Sequence, residues 1–235
     1  MPITTVLFDL DGPLLPMDLE VFTKEYLKRI STKLAPIGYE PKSLVETIWH
    51  GITAMFKNNG EKTNEEVFWN TAVALQGEKI LDDKKYFDEF YRYEFDKIKS
   101  VCGYNEDAAE TVRNLKKRGL RIVLATNPIF PAIATENRLR WTGLSPEEFD
   151  FYTTYENSRY CKPNPNYYTS ILSTLGLSPA ECLMVGNDVT DDMIAATLGI
   201  KTFLLTDNLI NENNDDISIY RHGGFNELNK YLSDL

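Results

Sequence analysis

Apolar positions along this chain follow two different rhythms. Residues 5–8 (TVLF) are almost wholly apolar and run straight into Asp-Gly punctuation, the pattern of a short buried strand ending in a turn. From about Asp18 to Ser100 the spacing lengthens to that of helices: Phe22, Tyr26, Leu27, Ile30 and Leu34, then Leu44, Ile48, Ile52 and Met55, then more loosely Val67, Trp69, Val73 and Leu75. The stretch DDKKYFDEFYRYEFDKIKS predicts one last helix, with Phe87, Phe90, Tyr91 and Ile98 on one side. An aromatic stripe of this kind reads as core packing, and no chemistry is assigned to it.

Beyond Val101 strand and helix signals alternate. A helix from Asp107 to Arg118 closes at Gly119 and leads into the strand RIVLAT; a helix over Ala132 to Trp141 precedes a strand near Phe149 to Thr154. A helix over Tyr167 to Gly176 precedes CLMVGN, and one over Asp192 to Leu198 precedes KTFLLT. This alternation predicts an α/β fold, a doubly wound, Rossmann-like parallel sheet with helices on both faces. The all-helical block then reads as an insertion after the first strand, which divides the chain into a core of residues 1–15 and 101–235 and an inserted domain of residues 16–100. Asn208 to Asp216, rich in Asn and acidic residues, reads as an exposed loop.

Charge narrows the partners. Thirty-five acidic residues against 25 basic ones give a formal charge of −10, which disfavours nucleic acid and anionic membrane surfaces, because both need clustered Lys and Arg. A small anionic substrate fits if a local cation or metal receives it. Cys102, Cys161 and Cys182 are widely separated and show neither C-x-x-C nor zinc spacing, as expected of reduced thiols in a cytoplasm. No leader pattern or membrane-length apolar run is visible, so a cytoplasmic location is expected. The oligomeric state is not legible.

The candidate chemistry sits where the strands end. In an open parallel sheet, ligands bind outside the carboxyl ends of the strands. Asp9 and Asp11 in FDLDG project from the same side as the chain leaves the first strand, and two close carboxylates call for a divalent cation or for unequal protonation. By itself D-x-D-G is an ordinary turn signal. A calcium loop would place ligands at Asp9, Asp11 and Glu20, but Pro13 and Leu14 occupy positions that need an oxygen donor and a glycine. Thr126 and Asn127 end the second strand with a hydroxyl and an amide, Lys162 precedes a Pro-x-Pro turn, and Asp188, Asp191 and Asp192 follow a later strand. Each of these alone has a bland reading: a turn, a solvated lysine, acids favoured at a helix start.

Their order is informative. D-x-D-G, Thr-Asn, Lys-Pro and G-N-D-x-x-x-D, each after an apolar strand-like run, resemble the four motifs of the haloacid dehalogenase superfamily, and the helical insertion matches that superfamily's helical cap. The resemblance implies a Mg2+-dependent phosphohydrolase acting on a small phosphorylated metabolite. Asp9 would be the nucleophile that forms an aspartyl-phosphate, and Asp11 the general acid and base. Lys162 and Thr126, with Asn127 beside it, would receive the phosphoryl oxygens; Asp9, the Asp11 backbone carbonyl and Asp188 would hold the metal. Keeping the four-residue gap pairs Asp188 with Asp192, one turn on, where it could orient Lys162 or a metal-bound water, and leaves Asp191 outside the metal set. The superfamily usually has Thr where this chain has Pro13, which removes a hydroxyl and fixes φ in the loop.

Asp11 and Asp188 together favour phosphoryl chemistry over dehalogenation. A sugar phosphomutase of the same superfamily, or a weakened binding protein on the same fold, are the alternatives; a receiver domain is disfavoured because RIVLATN carries no Asp. In the cap, Trp49, His50, Lys57 and Trp69 are candidates for meeting substrate, and His222 reads as structural or solvated.

Overall fold

The computed structural model describes residues 2–234. Six parallel strands form one sheet: β1 (Thr5–Phe8), β2 (Arg121–Leu124), β3 (Phe151–Tyr152), β4 (Cys182–Gly186), β5 (Lys201–Leu205) and β6 (His222–Gly223). They lie in the order β3-β2-β1-β4-β5-β6. β1 is central, paired Thr5 to Arg121 on one side and Thr5 to Cys182 on the other. All four residues of β1 are buried, as a strand covered on both faces must be. This order reverses direction beside β1, and the crevice at such a reversal is where a doubly wound sheet binds its ligand.

Between β1 and β2 the chain inserts α1 (Leu19–Leu34), α2 (Pro41–Phe56), α3 (Asn64–Gln76), the single turn α4 (Lys79–Asp82) and α5 (Lys84–Tyr93). Asp18 caps α1, accepting from the Glu20 and Val21 N–H groups, and Thr63 with Glu66 forms a capping box on α3. The expected single helix over residues 82–100 instead changes pitch. After Tyr93 the chain tightens into a 3-10 segment, Phe95–Val101. A three-residue repeat lines up Phe95, Ile98 and Val101 on one face, and Phe95 and Ile98 are fully buried. Phe95 stacks on Trp141 with ring centroids 5.3 Å apart, which fastens the base of the insertion to the sheet domain.

The remaining helices are α6 (Glu106–Lys117), α7 (Ala132–Trp141), α8 (Pro165–Leu175) and α9 (Phe225–Ser233). α9 is not among the expected elements, although Phe225, Leu228 and Leu232 recur at helical spacing and are buried; the two-residue β6 is too short to carry a periodic signal. The third strand is shorter than expected because Asp150 and Thr153 bond to β2 through irregular flanking contacts, including Asp150 Oδ2 accepting from the Ile122 N–H. The expected helix over Asp192 to Leu198 is a 3-10 segment beginning at Met193. Among the described residues no helix is long and apolar enough to cross a membrane.

Candidate active site

Asp9 is the first residue past β1, its N–H still bonded to the Val185 carbonyl of β4. The chain then turns tightly: the Leu14 and Leu15 N–H groups both donate to the Leu10 carbonyl, and the Gly12 N–H donates to the Leu15 carbonyl. With Pro13 in place the turn closes through the N–H groups of Gly12, Leu14 and Leu15, and position 13 contributes no donor to it. Gly12 cannot be replaced as easily. It sits at φ +106°, and a Cβ there would lie 2.3 Å from the Asn187 amide nitrogen.

Lys162 joins the motifs. Its ammonium is 2.9 Å from Asp9 Oδ1 and 2.6 Å from Asp192 Oδ1, with the side chain almost wholly buried. Asp192 Oδ2 in turn accepts from the Asp188 N–H at 3.0 Å. That return path is open only because residue 186 is glycine; a Cβ there would fall 2.0 Å from Asp192 Oδ2. Asp188 Oδ1 accepts from the Thr190 and Asp191 N–H groups, which holds the β4 exit loop in shape.

Asn127 is used at both ends. Its Oδ1 accepts from the Lys162 N–H at 3.2 Å and its Nδ2 donates to Asp191 Oδ2 at 3.0 Å. Asp191, left outside the metal set by motif spacing, therefore faces the same cleft as Asp188 and Asp192. Asp11 is held by a residue that spacing did not flag: Arg138 Nη1 lies 2.5 Å from Asp11 Oδ2. Arg138 is buried on the inward face of α7 with Ala134 and Trp141, over the Phe130 ring. An arginine among apolar positions of an inward helical face is the signal that could have found it. Asp11 Oδ1 is buried with no hydrogen-bond partner.

Except for Arg138, these groups line a cleft of about 250 Å3, together with Thr126, Asn187 and the apolar side chains of Leu19, Phe56, Ile129 and Ile210. Trp49, His50, Lys57 and Trp69 are not among its lining residues. Trp69 packs edge-on against Phe68 and Phe87 beside a separate void of only about 20 Å3, room for a single water at most. The cap residues that reach the cleft are Leu19 and Phe56. Ile210 comes from the segment read as an exposed loop; its N–H donates to the Asn187 carbonyl and its carbonyl accepts from the Val189 N–H, pinning that segment to the β4 exit. His222 is exposed, with Nδ1 2.9 Å from the Tyr220 carbonyl.

Five carboxylates thus share a small space with two cations. Burial pushes the Asp9 carboxyl up to about 8, against the pull of Lys162 and with the help of Asp192 and Asp11. Burial likewise raises Asp191 to about 6, opposed chiefly by Lys162, and raises Asp188 against the two backbone N–H groups it accepts from. Burial pulls Lys162 down, but Asp192 and Asp9 more than offset it, and the ammonium is held well above the ordinary lysine value.

A hard divalent cation suits this oxygen-rich, negatively charged set. Among the described residues no three His, Cys, Asp or Glu side chains gather closely enough to cage a metal. The donor set expected from the motifs, the Asp9 and Asp188 carboxylates with the Asp11 carbonyl, would not need such a cage, since Mg2+ usually keeps several of its waters.

An open parallel sheet with its acids gathered at the strand ends around one buried lysine defines a class of hydrolase that works at a carboxylate-rich cleft. The chain belongs to the haloacid dehalogenase-like hydrolases, whose family model matches residues 3–209. It is 27% identical over 202 residues to the pyrophosphatase PpaX of Bacillus cereus strain AH820, covering 86% of this chain and 82% of that protein. It superposes with TM-score 0.59 on a predicted phosphoglycolate phosphatase from Haemophilus somnus 129PT, at 19% identity and 98% coverage of both chains. A 2-haloacid dehalogenase from Pseudomonas syringae pv. tomato DC3000 superposes with TM-score 0.65, at 17% identity and 99% coverage of both chains. One fold therefore carries proteins of both names, and the choice of chemistry falls to the site.

Proposed function

We propose that this hydrolase is a Mg2+-dependent phosphatase that cleaves a small phosphorylated metabolite through an aspartyl-phosphate on Asp9. The observation that carries the reading is the Asp9–Lys162–Asp192 chain beside Asp11 and Asp188, all at the carboxyl ends of strands. Pyrophosphate and phosphoglycolate, the compounds in the relatives' names, belong to that substrate class.

Lys162 holds Asp9 Oδ1, so Asp9 meets the phosphorus from a fixed direction with its other oxygen. A bond forms between that oxygen and phosphorus as the ester P–O bond breaks, and Asp11 gives its proton to the departing oxygen. Arg138 engages Asp11 Oδ2 and so fixes the orientation of the Asp11 carboxyl, whose Oδ1 has no hydrogen-bond partner of its own. Asp11 then takes a proton from the water that attacks the phospho-aspartate, releasing phosphate and restoring Asp9. The Lys162 ammonium and the Thr126 hydroxyl stabilise charge on the phosphoryl oxygens. Bound Mg2+, held by Asp9, Asp188 and the Asp11 carbonyl, would supply positive charge against the phosphate and return Asp9 to its carboxylate form.

Hydrolysis of p-nitrophenyl phosphate tests the reading directly: turnover should require Mg2+ and stop on addition of EDTA. Absence of any metal-dependent turnover would refute it. In the same assay Asp188→Ala should raise the Mg2+ concentration needed for half-maximal rate by roughly ten- to a hundredfold, the range seen when groups that support a bound metal are removed.

The raised carboxyls also predict how metal and pH act on stability. Folded-state values above the ordinary 3.8 mean that the folded protein keeps protons the unfolded chain has released. The stability contributed by these groups is complete below about pH 4 and is lost as pH rises through about 6 for Asp191 and about 8 for Asp9. A divalent cation takes the place of those protons. The metal-free Tm should therefore fall between about pH 6 and pH 8, and millimolar Mg2+ should raise Tm more at the upper end than at the lower. Thermal melts across that range, with and without Mg2+, measure both trends.

A further inference from the structure

The cleft has two chemically distinct halves. Its floor is carboxylate and amide; its walls are Leu19 at the start of α1, Phe56 at the end of α2, Ile129 after β2 and Ile210 after β5. Leu19 is 46% exposed and Phe56 43% exposed, so the fold leaves two large apolar side chains in solvent at the mouth of the site instead of burying them in the cap. Lys162 is the sole lysine or arginine among the described lining residues, and it is already shared by Asp9 and Asp192. Arg138 does not line the cleft and is paired with Asp11.

We infer that the leaving group of the physiological substrate is uncharged and apolar, so that the substrate is a phosphate monoester of a neutral, hydrocarbon-bearing alcohol. The inference rests on the phosphatase reading and specifies its substrate class. The floor engages the phosphoryl group, so the rest of the substrate extends toward the walls. A carboxylate or second phosphate there would lose hydration against Leu19, Phe56, Ile129 and Ile210 and meet no free side-chain cation among the described lining residues. An apolar group in the same place covers side chains that are otherwise wet and removes both surfaces from water.

Benzyl phosphate and phosphoglycolate test this cleanly, because both are alkyl monoesters and differ chiefly in what the leaving group presents; pyrophosphate adds a fully phosphorylated leaving group. With the full chain and Mg2+, kcat/KM for benzyl phosphate should exceed that for phosphoglycolate and for pyrophosphate by tenfold or more. Phe56→Lys and Leu19→Lys, at half-exposed positions that tolerate a charge, should narrow or invert that ratio, lowering it for benzyl phosphate and raising it for phosphoglycolate. A parent enzyme that hydrolyses p-nitrophenyl phosphate but turns over phosphoglycolate or pyrophosphate within tenfold of benzyl phosphate, or better, overturns the apolar leaving group and leaves the phosphatase standing. Lysine variants that leave the ratio unchanged likewise overturn the role of these walls. No turnover of any phosphate, p-nitrophenyl phosphate included, overturns the phosphatase and this inference together.

Discussion

Asp9→Asn should abolish turnover, lowering kcat by roughly ten-thousandfold or more, while leaving the protein folded. An amide is a poor nucleophile, and nothing else in the cleft can take its place: Asp11 is drawn to Arg138, Asp192 to Lys162, and Asp188 to the β4 exit loop. The fold should not suffer. Asn presents an oxygen where Asp9 Oδ1 accepts from Lys162, and it removes a carboxyl that burial holds near 8. Asparagine also has no proton to release, so the decline of the metal-free Tm between about pH 6 and pH 8 should shrink in this variant. Steady-state kinetics with p-nitrophenyl phosphate, together with melts at both pH values, check the two halves. An Asp9→Asn enzyme with parental activity would end the assignment of Asp9 as nucleophile.

Asp192→Ala should be the most damaging change among the acids after β4, through stability as much as through rate. Motif spacing alone suggests a moderate effect, because Asp192 lies a turn beyond Asp188. The structure shows a fully buried carboxylate with two duties, accepting from Lys162 and from the Asp188 N–H. Removing it leaves a buried ammonium with Asp9 as its remaining carboxylate partner, and breaking a buried pair from one side costs about 3–5 kcal/mol. Denaturant unfolding should show that loss. Asp192→Asn keeps the shape and one acceptor, so it should regain much of the stability while turnover stays depressed, since Lys162 is then held less firmly against Asp9. Asp191→Ala, by contrast, removes a carboxylate whose side-chain contact is with Asn127, and it should alter the Mg2+ requirement far less than Asp188→Ala. A magnesium titration in which Asp191→Ala proved the worst of the three would make the metal assignment wrong.

The sequence by itself determined the parallel sheet, the place of the helical insertion and the strand ends at which the acids appear. These rest on local physics: an apolar run closed by Asp-Gly can hardly be other than a buried strand, and the alternation after Val101 leaves few topologies. Asp9, Thr126 and Asp188 could be singled out as candidates for the same reason, since each follows a strand signal directly, whereas Lys162 stood out only by its place before a Pro-x-Pro turn. Pitch was not legible. The change from α5 to a 3-10 segment goes with burial of Phe95 and Ile98, Phe95 stacking on Trp141, a contact between residues far apart in the chain. The two-residue β6 is defined by its pairing with β5 and not by any periodicity of its own.

Tertiary structure alone decided which groups share the cleft. Arg138 reaches Asp11 across 127 positions, and Lys162 reaches Asp9 across 153, distances over which no spacing rule operates. Leu19, Phe56 and Ile210 become walls, while the tryptophans that looked best placed in the cap do not line the cleft, because helix packing chooses which side of each helix faces inward. Residue type and local period fix what an element is and where the chain leaves it. Which side chains converge, and how burial alters their charge, follows from the packing of elements against one another, and that is written in no single stretch of sequence.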